Sequence, residues 1–401
     1  MAGVPEKARY YLEQSVPQLR EFEALSIFSA AEISSLVKKR SDYEHLVLSP
    51  GSQPRDYLAY IRWERSLEGL RAKRCKRLQI RRSSSHAGEG RVFGILERAV
   101  QRHPGSLDVW TEYLRFADAV KATKRWRKVM SRALRMHPAK PELWVVAGRR
   151  SAHHGDMQAA RGFFMRGARF CTRDAVVWVE YARCEMEWLE KMEERKGKKG
   201  GAQRAIQEQA EHDDDAIMFA EEDSDEDADE NGRLVMPDPD AKGAKKVFDD
   251  KAVQKMVQKN PALDGAIPLA IFEIAQKQQF FNAAAAEKFF DVFAGFPSVP
   301  SQSKLVQRVL DTLAESYANS PEACNCFVRQ PLIGLEPNSA AYPKALRDAL
   351  SQLKKSLEST TDKTRLAQKT NAWIEPVLAS EDLDTGIRAV LEHTVRTLPK
   401  P

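Results

Sequence analysis

The chain has 401 residues, 42% of them hydrophobic and 30% charged, which supplies apolar material for packed helices and charge for a large wetted surface. No run approaches the roughly 18 to 20 apolar residues of a membrane span, and the opening Met1-Ala-Gly-Val-Pro-Glu-Lys lacks a secretory apolar core, so the expectation is an intracellular protein outside the membrane. Five cysteines, scattered and odd in number, make no disulfide framework, and Cys324-Asn-Cys326 lacks the Cys or His cluster that zinc requires.

The first expected helix, Ala8 to Leu19, carries Tyr11, Leu12, Val16 and Leu19 at helical spacing. Ser29-Ala-Ala-Glu32 reads as a capping box that opens a second helix, with Ile33, Leu36 and Val37 on its apolar side, continuing through Lys38-Lys39-Arg40 to Leu46. Together these form an N-terminal helical segment over residues 1–53. Tyr57-x-x-Tyr60-x-x-x-Glu64 follows, its aromatic residues three apart and its glutamate seven on, which places all three on one helix face. Behind it, Arg71, Lys73, Arg74, Lys76, Arg77, Arg81 and Arg82 crowd into twelve positions. Cations at that density neutralise phosphates and release counterions, making this the candidate RNA-backbone contact. A solvated helix end or a nuclear-import signal accounts for it equally well. No paired aromatic motif or GxxG clamp accompanies it, so sequence-specific RNA reading is not expected. The Ser/Gly-rich stretch from Arg81 to Gly90 reads as loop, part of an insertion near 71–90.

A period of thirty-four then sets in. Trp110, Trp144 and Trp178 are evenly spaced at that interval, and so are Arg98-Ala99-Val100, Arg132-Ala133-Leu134 and Arg166-Gly167-Ala168. Trp110-x-x-Tyr113-x-x-x-Ala117 and Trp178-x-x-Tyr181-x-x-x-Glu185 repeat the earlier tyrosine stripe. Small residues at 99, 133 and 167 permit close helix approach, while His103-Pro104 and His137-Pro138 stop the helices before them. Each unit is therefore helix A, turn, helix B, turn: a helical hairpin made to stack on its neighbours over residues 54–190. Tyr57, Tyr60, Trp110, Tyr113, Trp144, Trp178 and Tyr181 are core markers of that repeat, filling space between hairpins rather than meeting a ligand.

From residue 191 to 262 the composition changes. Glu211 to Glu230 holds twelve acids and no Lys or Arg, so the remainder of the chain, with 63 basic and 45 acidic side chains, carries a balance of +18. A basic folded part suits contact with nucleic acid or acidic partners. The tract itself cannot bury enough apolar surface to offset chain entropy and is expected to be largely disordered. Within it, Ser224 ahead of Asp-Glu-Asp is a candidate phosphosite for an acid-directed kinase, and Ile217-Met218-Phe219 is a small apolar island. Residues 263–401 return to helix as degenerate repeats. Ile267 to Ala275 resembles a helix A and Ala283 to Phe293 its helix B, with further helices at Leu305 to Tyr317, Tyr342 to Leu357, Thr364 to Leu378 and Ile387 to Leu398. The one strand candidate, Gly232 to Val235, is too short to matter. The fold class is thus all-α.

Catalytic signatures are missing. There is no G-x-x-x-x-G-K-[ST], G-x-S-x-G or H-E-x-x-H, and His153-His154 falls at a turn beside Gly155-Asp156. An enzyme, a metal and a cofactor are all unexpected.

The aromatic-x-x-Tyr-x-x-x-Glu first helix, closed by Arg-Ala-Leu/Val and Pro in the second, resembles the HAT (half-a-TPR) repeat, which implies an α-solenoid. The stretches Tyr10 to Leu19, Phe28 to Glu44 and Asp56 to Glu64 resemble the opening of UTP family member six, a family of U-three-snoRNA-associated proteins, over roughly residues 1 to 190. That resemblance implies a nucleolar, non-catalytic scaffold of the small-subunit processome, within the UTP-B subcomplex. Its partners would be WD-repeat propeller subunits, in a large hetero-complex, with U-three snoRNA and pre-rRNA met indirectly or through the backbone. A HAT scaffold of pre-mRNA splicing or 3′-end processing, or a dedicated RNA-binding protein, is the alternative.

Overall fold

The computed structural model describes residues 4–80, 85–199, 265–380 and 383–399. Among them every regular element is helical: α1 (Val4–Glu13), α2 (Val16–Ala24), α3 (Ala30–Leu48), α4 (Pro54–Arg77), α5 (Ser85–Arg102), α6 (Leu107–Ala119), α7 (Thr123–Met136), α8 (Pro141–His153), α9 (Met157–Phe170) and α10 (Val176–Lys199), then α11 (Ala266–Gln276), α12 (Ala283–Ala294), α13 (Gln302–Tyr317), α14 (Pro321–Arg329), a 3-10 turn (Gln330–Leu332), α15 (Tyr342–Ser359), α16 (Lys363–Leu378) and α17 (Thr385–Thr397). Two compact units result, one ending at Pro138 and one beginning at Ala139. The acidic tract, Ser224, Ile217 to Phe219 and the Gly232 to Val235 stretch lie outside the described residues.

In the first unit the expected helix from Ala8 to Leu19 is two helices, α1 and α2. Pro17 sits in the first turn of α2, where its missing N–H costs nothing; inside one continuous helix its ring would strike the carbonyl four residues back. The capping box of α3 is formed as read: Ser29 Oγ accepts from the Glu32 amide at 3.3 Å, and Glu32 Oε2 accepts from the Ser29 amide at 2.8 Å. The expected loop ends early, because α5 has begun by Ser85. Helix α4 packs on α5, and α6 on α7.

The repeat period is visible in the helices themselves. The interval from Leu107 of α6 to Pro141 of α8 is the same as that from Thr123 of α7 to Met157 of α9, and both equal the tryptophan spacing. The turns agree as well. Lys121 and Gly155 both adopt the left-handed conformation (φ 59° and 90°). In each turn the next amide reaches back to a helix carbonyl, Ala122 to Ala117 at 2.9 Å and Asp156 to Ser151 at 3.0 Å.

In the second unit α8 packs on α9 with unusual closeness. A Cβ on Gly167 would stand 2.8 Å from Cβ of Trp144, and one on Gly148 would stand 2.6 Å from the Phe164 ring. Helix α10 packs against α8 and α9, and α11 and α12 pack against α10, so helix packing continues past the residues that are not described. The core there is a cluster of phenylalanines: Phe272 meets Phe281, Phe289 and Phe293 edge-on, and Phe289, Phe290 and Phe293 are all fully buried. Helix α14, unforeseen in the sequence, starts at Pro321 behind Ser320, whose hydroxyl accepts from the Ala323 amide at 3.2 Å.

Candidate functional site

In each unit the motif residues lie inside the helix packing. Tyr57, Tyr60, Trp110, Tyr113, Trp144, Trp178 and Tyr181 are all buried. The glutamate that ends the motif is buried too, and each time it holds an arginine from the same distance upstream in the chain. Glu64 accepts from Arg40 through both oxygens, at 2.8 and 3.0 Å, with both side chains 2% exposed. Glu185 accepts from Arg161 in the same two-pronged way, at 2.7 and 2.9 Å. Two parallel N–H···O bonds fix distance and orientation together. In the repeat whose motif ends in Ala117, the matching upstream position holds Phe93, so both positions are apolar. The motif spacing alone does not single out Arg40 and Arg161. The signal that finds them is an arginine at one constant interval before each motif glutamate.

A second arrangement also recurs. Tyr60 donates its hydroxyl to Glu44 at 3.0 Å, and Arg98 grips both oxygens of Glu44 at 2.7 and 2.9 Å. One repeat later Tyr113 donates to Glu97 at 3.2 Å, and Arg132 donates to Glu97 at 2.7 Å. In both, the glutamate precedes the tyrosine by the same interval. Burial, with the adjoining carboxylates, raises the Tyr60 and Tyr113 hydroxyls above the ordinary phenol range, so both remain protonated donors. Arg98 also stacks over the Tyr11 ring at 3.8 Å, tying α1 to α5.

The basic cluster is split by the fold. Arg71 is buried and donates to Glu68 at 2.8 Å. Arg74 is clamped to Glu32 at 2.7 and 2.9 Å and lies over the Phe28 ring at 4.5 Å, joining the end of α4 to the start of α3. That hydrogen bond, with those from Ser29, holds the Glu32 carboxyl down to about 2. Lys73, Lys76 and Arg77 are exposed, whereas Arg81 and Arg82 lie outside the described residues. Two of the five described cations are thus spent inside the fold.

All five cysteines are buried and free, and burial pushes Cys171 and Cys184 up to about 12. His153 and His154 are exposed at the turn after α8. Among the described residues, no group of three or more His, Cys, Asp and Glu side chains could hold a metal, and no helix is long and apolar enough to cross a membrane. What this arrangement does chemically is fix helix against helix.

The family match falls on residues that carry the first part of this arrangement. The family model described as U3 small nucleolar RNA-associated protein 6 matches residues 12–98, which hold Arg40, Glu44, Tyr60, Glu64 and Arg98. The U3 small nucleolar RNA-associated protein 6 of Schizosaccharomyces pombe is 35% identical over 191 residues, 47% of this chain and 39% of the relative. The Homo sapiens homolog of that protein is 29% identical over 193 residues, 46% of this chain and 32% of its own, and the Mus musculus homolog is 28% identical over the same length. The matched stretch therefore spans well under half the length of these relatives. Over these residues the chain is similar to the U3 small nucleolar RNA-associated protein 6 family.

Proposed function

We propose that this chain is a non-catalytic scaffold subunit of the small-subunit processome, in its UTP-B subcomplex, where it supports pre-rRNA processing and small ribosomal subunit biogenesis in the nucleolus through protein–protein contacts. The observation that carries this reading is the recurrence of one helical hairpin at a constant period, with the same two-pronged arginine–glutamate pair in two repeats. On this reading residues 54–190 form a HAT/TPR-like α-solenoid, residues 263–401 extend it with degenerate repeats, and residues 191–262 are a charged insertion. Such an array offers extended surface and a stiff frame, which suits gripping a neighbouring subunit, here a WD-repeat propeller protein. The recurring Arg–Glu and Tyr–Glu groups hold helix against helix, which supports a structural role. U-three snoRNA is met within the assembly, with Lys73, Lys76 and Arg77 contributing at most backbone contacts.

Depletion of the protein from cells tests the reading directly. Uncut pre-rRNA should accumulate, and newly made small-subunit rRNA should fall relative to large-subunit rRNA. An unchanged ratio, or a defect confined to pre-mRNA splicing or 3′-end formation, would overturn it.

A further inference from the structure

One node of the repeat is completed in one hairpin and left open in the hairpin before it. Trp110 Nε1 donates to the Pro104 carbonyl at 2.8 Å, and His137 Nε2 donates to the same oxygen at 2.9 Å. Their counterparts one repeat earlier are Tyr57 and His103, whose rings meet edge-on at 5.6 Å. Tyr57 turns its hydroxyl to the Val47 carbonyl at 2.9 Å, and His103 Nε2 is buried with no hydrogen-bond partner among the described residues. Burial and the neighbouring Arg102 hold His103 below its ordinary value, so near neutrality the ring is uncharged. A buried ring nitrogen without a partner costs stability until a further group completes it.

Both residues line a recess of about 940 Å³ in the first unit, between α1, the turn from α3 to α4 and the end of α5. Tyr10 and Tyr11 line it from α1, Leu48 and Pro50 from the turn. Tyr10 is 59% exposed, the most of any large hydrophobic side chain among the described residues, and leans edge-on against Tyr11 at 5.5 Å. The charges do not balance. Arg98 is spent on Glu44, and Glu6, the one acid of the lining, is itself engaged. Arg102 reaches only neutral oxygens, Ser52 Oγ at 3.1 Å and the Ser49 and Pro50 carbonyls at 2.9 and 3.2 Å. Lys7 is exposed and pairs with no described residue. Two positive charges thus border the recess without a carboxylate of their own.

We infer that this recess holds a short extended segment of a partner protein, which sets an Asp or Glu side chain against Arg102 and Lys7 and a large apolar side chain beside Tyr10. Tyrosine and arginine recur at the energetic centres of protein interfaces, because each brings wide contact area together with a polar tip. A polyanion needs cations in a row, whereas two cations set about an aromatic centre fit one carboxylate with an apolar neighbour. The inference rests on the scaffold reading in taking the ligand to be a protein, and adds where that protein is gripped and by what chemistry.

Tyr10→p-benzoylphenylalanine, introduced into the full chain in cells and irradiated, identifies the occupant through mass spectrometry of the crosslinked peptides. The expected product is a segment of another protein in which an Asp or Glu stands beside a Leu, Ile, Met or aromatic residue. The same photoreactive group at Leu78, about 30 Å along α4 from Tyr57, should not reach that segment. A labelled synthetic peptide of the mapped segment should bind the purified full chain in fluorescence anisotropy. Lys7→Glu, Tyr10→Ala and Arg102→Gln should each weaken it by about tenfold, with the circular dichroism spectrum retained. Replacing the peptide's acid by Lys should restore binding to the Lys7→Glu chain. Lys7 and Tyr10 are exposed, so their variants test the recess even where Arg102→Gln loosens the turn it holds. Crosslinks confined to RNA or to this chain, a mapped segment without an acid, capture of the same segment from Leu78, or unchanged affinity in Lys7→Glu and Tyr10→Ala would overturn the inference. A pre-rRNA defect on depletion with no crosslink at Tyr10 would sink the recess alone. Normal pre-rRNA with a mapped acidic segment would sink the scaffold reading and leave the recess standing.

Discussion

The helices from α3 to α5 and those from α11 to α14 are both well-packed, and they are held by different means. In the first region ionic side chains lie inside the packing: Arg40 with Glu64, and Glu44 with Tyr60 and Arg98. In the second, Phe272, Phe289, Phe290 and Phe293 fill the interior, and the polar link of Asn325 and Lys369 to Glu287 stands beside them. An ionic core is all-or-none, because a lone charge left in it has neither water nor partner. An aromatic core is graded, because the loss grows with the number of carbons removed and with the cavity they leave. The first kind of core also fixes which helix meets which. That selectivity suits a repeat whose hairpins must not slip.

The largest effect expected from this contrast comes from stranding one partner. Arg40→Met should lower stability by about 3–5 kcal/mol, and adding Glu64→Leu should recover most of the loss. Phe289→Leu should cost only about 1 kcal/mol. Urea denaturation followed by circular dichroism measures all three, and additive losses at Arg40 and Glu64 would remove the distinction.

Gly167 sharpens the comparison within the repeats. Its place against Cβ and Cγ of Trp144 leaves no room for a methyl group, and that part of the tryptophan cannot swing away from its own helix. Gly167→Ala should destabilise by about 1–3 kcal/mol, measured in the same urea titration, whereas the matching position of the preceding repeat already holds a buried alanine, Ala133.

The two matched turns differ in a testable way. Lys121 holds a left-handed backbone that glycine adopts freely, as Gly155 does in the corresponding turn of the next repeat. Lys121→Gly should therefore raise the stability by about 0.5–1 kcal/mol. Gly155→Ala should lower it by a similar amount, read as opposite shifts in thermal midpoint.

The smallest effect is that of acid on the clamp between α3 and α4. With Glu32 held down to about 2 from an ordinary 4.5, its bond to Arg74 contributes stability in full above pH 4.5 and loses it as pH falls toward 2. The difference in urea midpoint between wild type and Glu32→Gln should be constant near neutrality and close across that window. A difference that persists at pH 2 would show that the clamp does not depend on the charge.

Much of this was legible in the sequence, for physical reasons that also explain the rest. Tryptophans at a fixed spacing give the hairpin because large aromatics must be buried at the same point of every repeat. Ser29 and Glu32 give the start of α3 because a capping box is a local device. The helices Ala266–Gln276 and Ala283–Ala294 followed from apolar periodicity alone. The break between α1 and α2 was hidden because Val16 and Leu19 continue the apolar spacing across it. Helix α14 was hidden because Cys, Asn and Pro are weak helix formers that only tertiary packing and the Ser320 cap hold in place. Charge was the least legible property. The cations crowded between Arg71 and Arg82 stand out in the sequence, yet Arg71 and Arg74 face carboxylates inside the fold.

On the proposed function, protein contacts rather than RNA hold this chain in its assembly. Affinity purification of the tagged protein from nuclear extract, with and without RNase and read by mass spectrometry, tests it most directly. WD-repeat propeller subunits are expected in both samples and U-three snoRNA only in the untreated one. Loss of the protein partners on RNase treatment, or recovery of splicing or polyadenylation factors in their place, would contradict it.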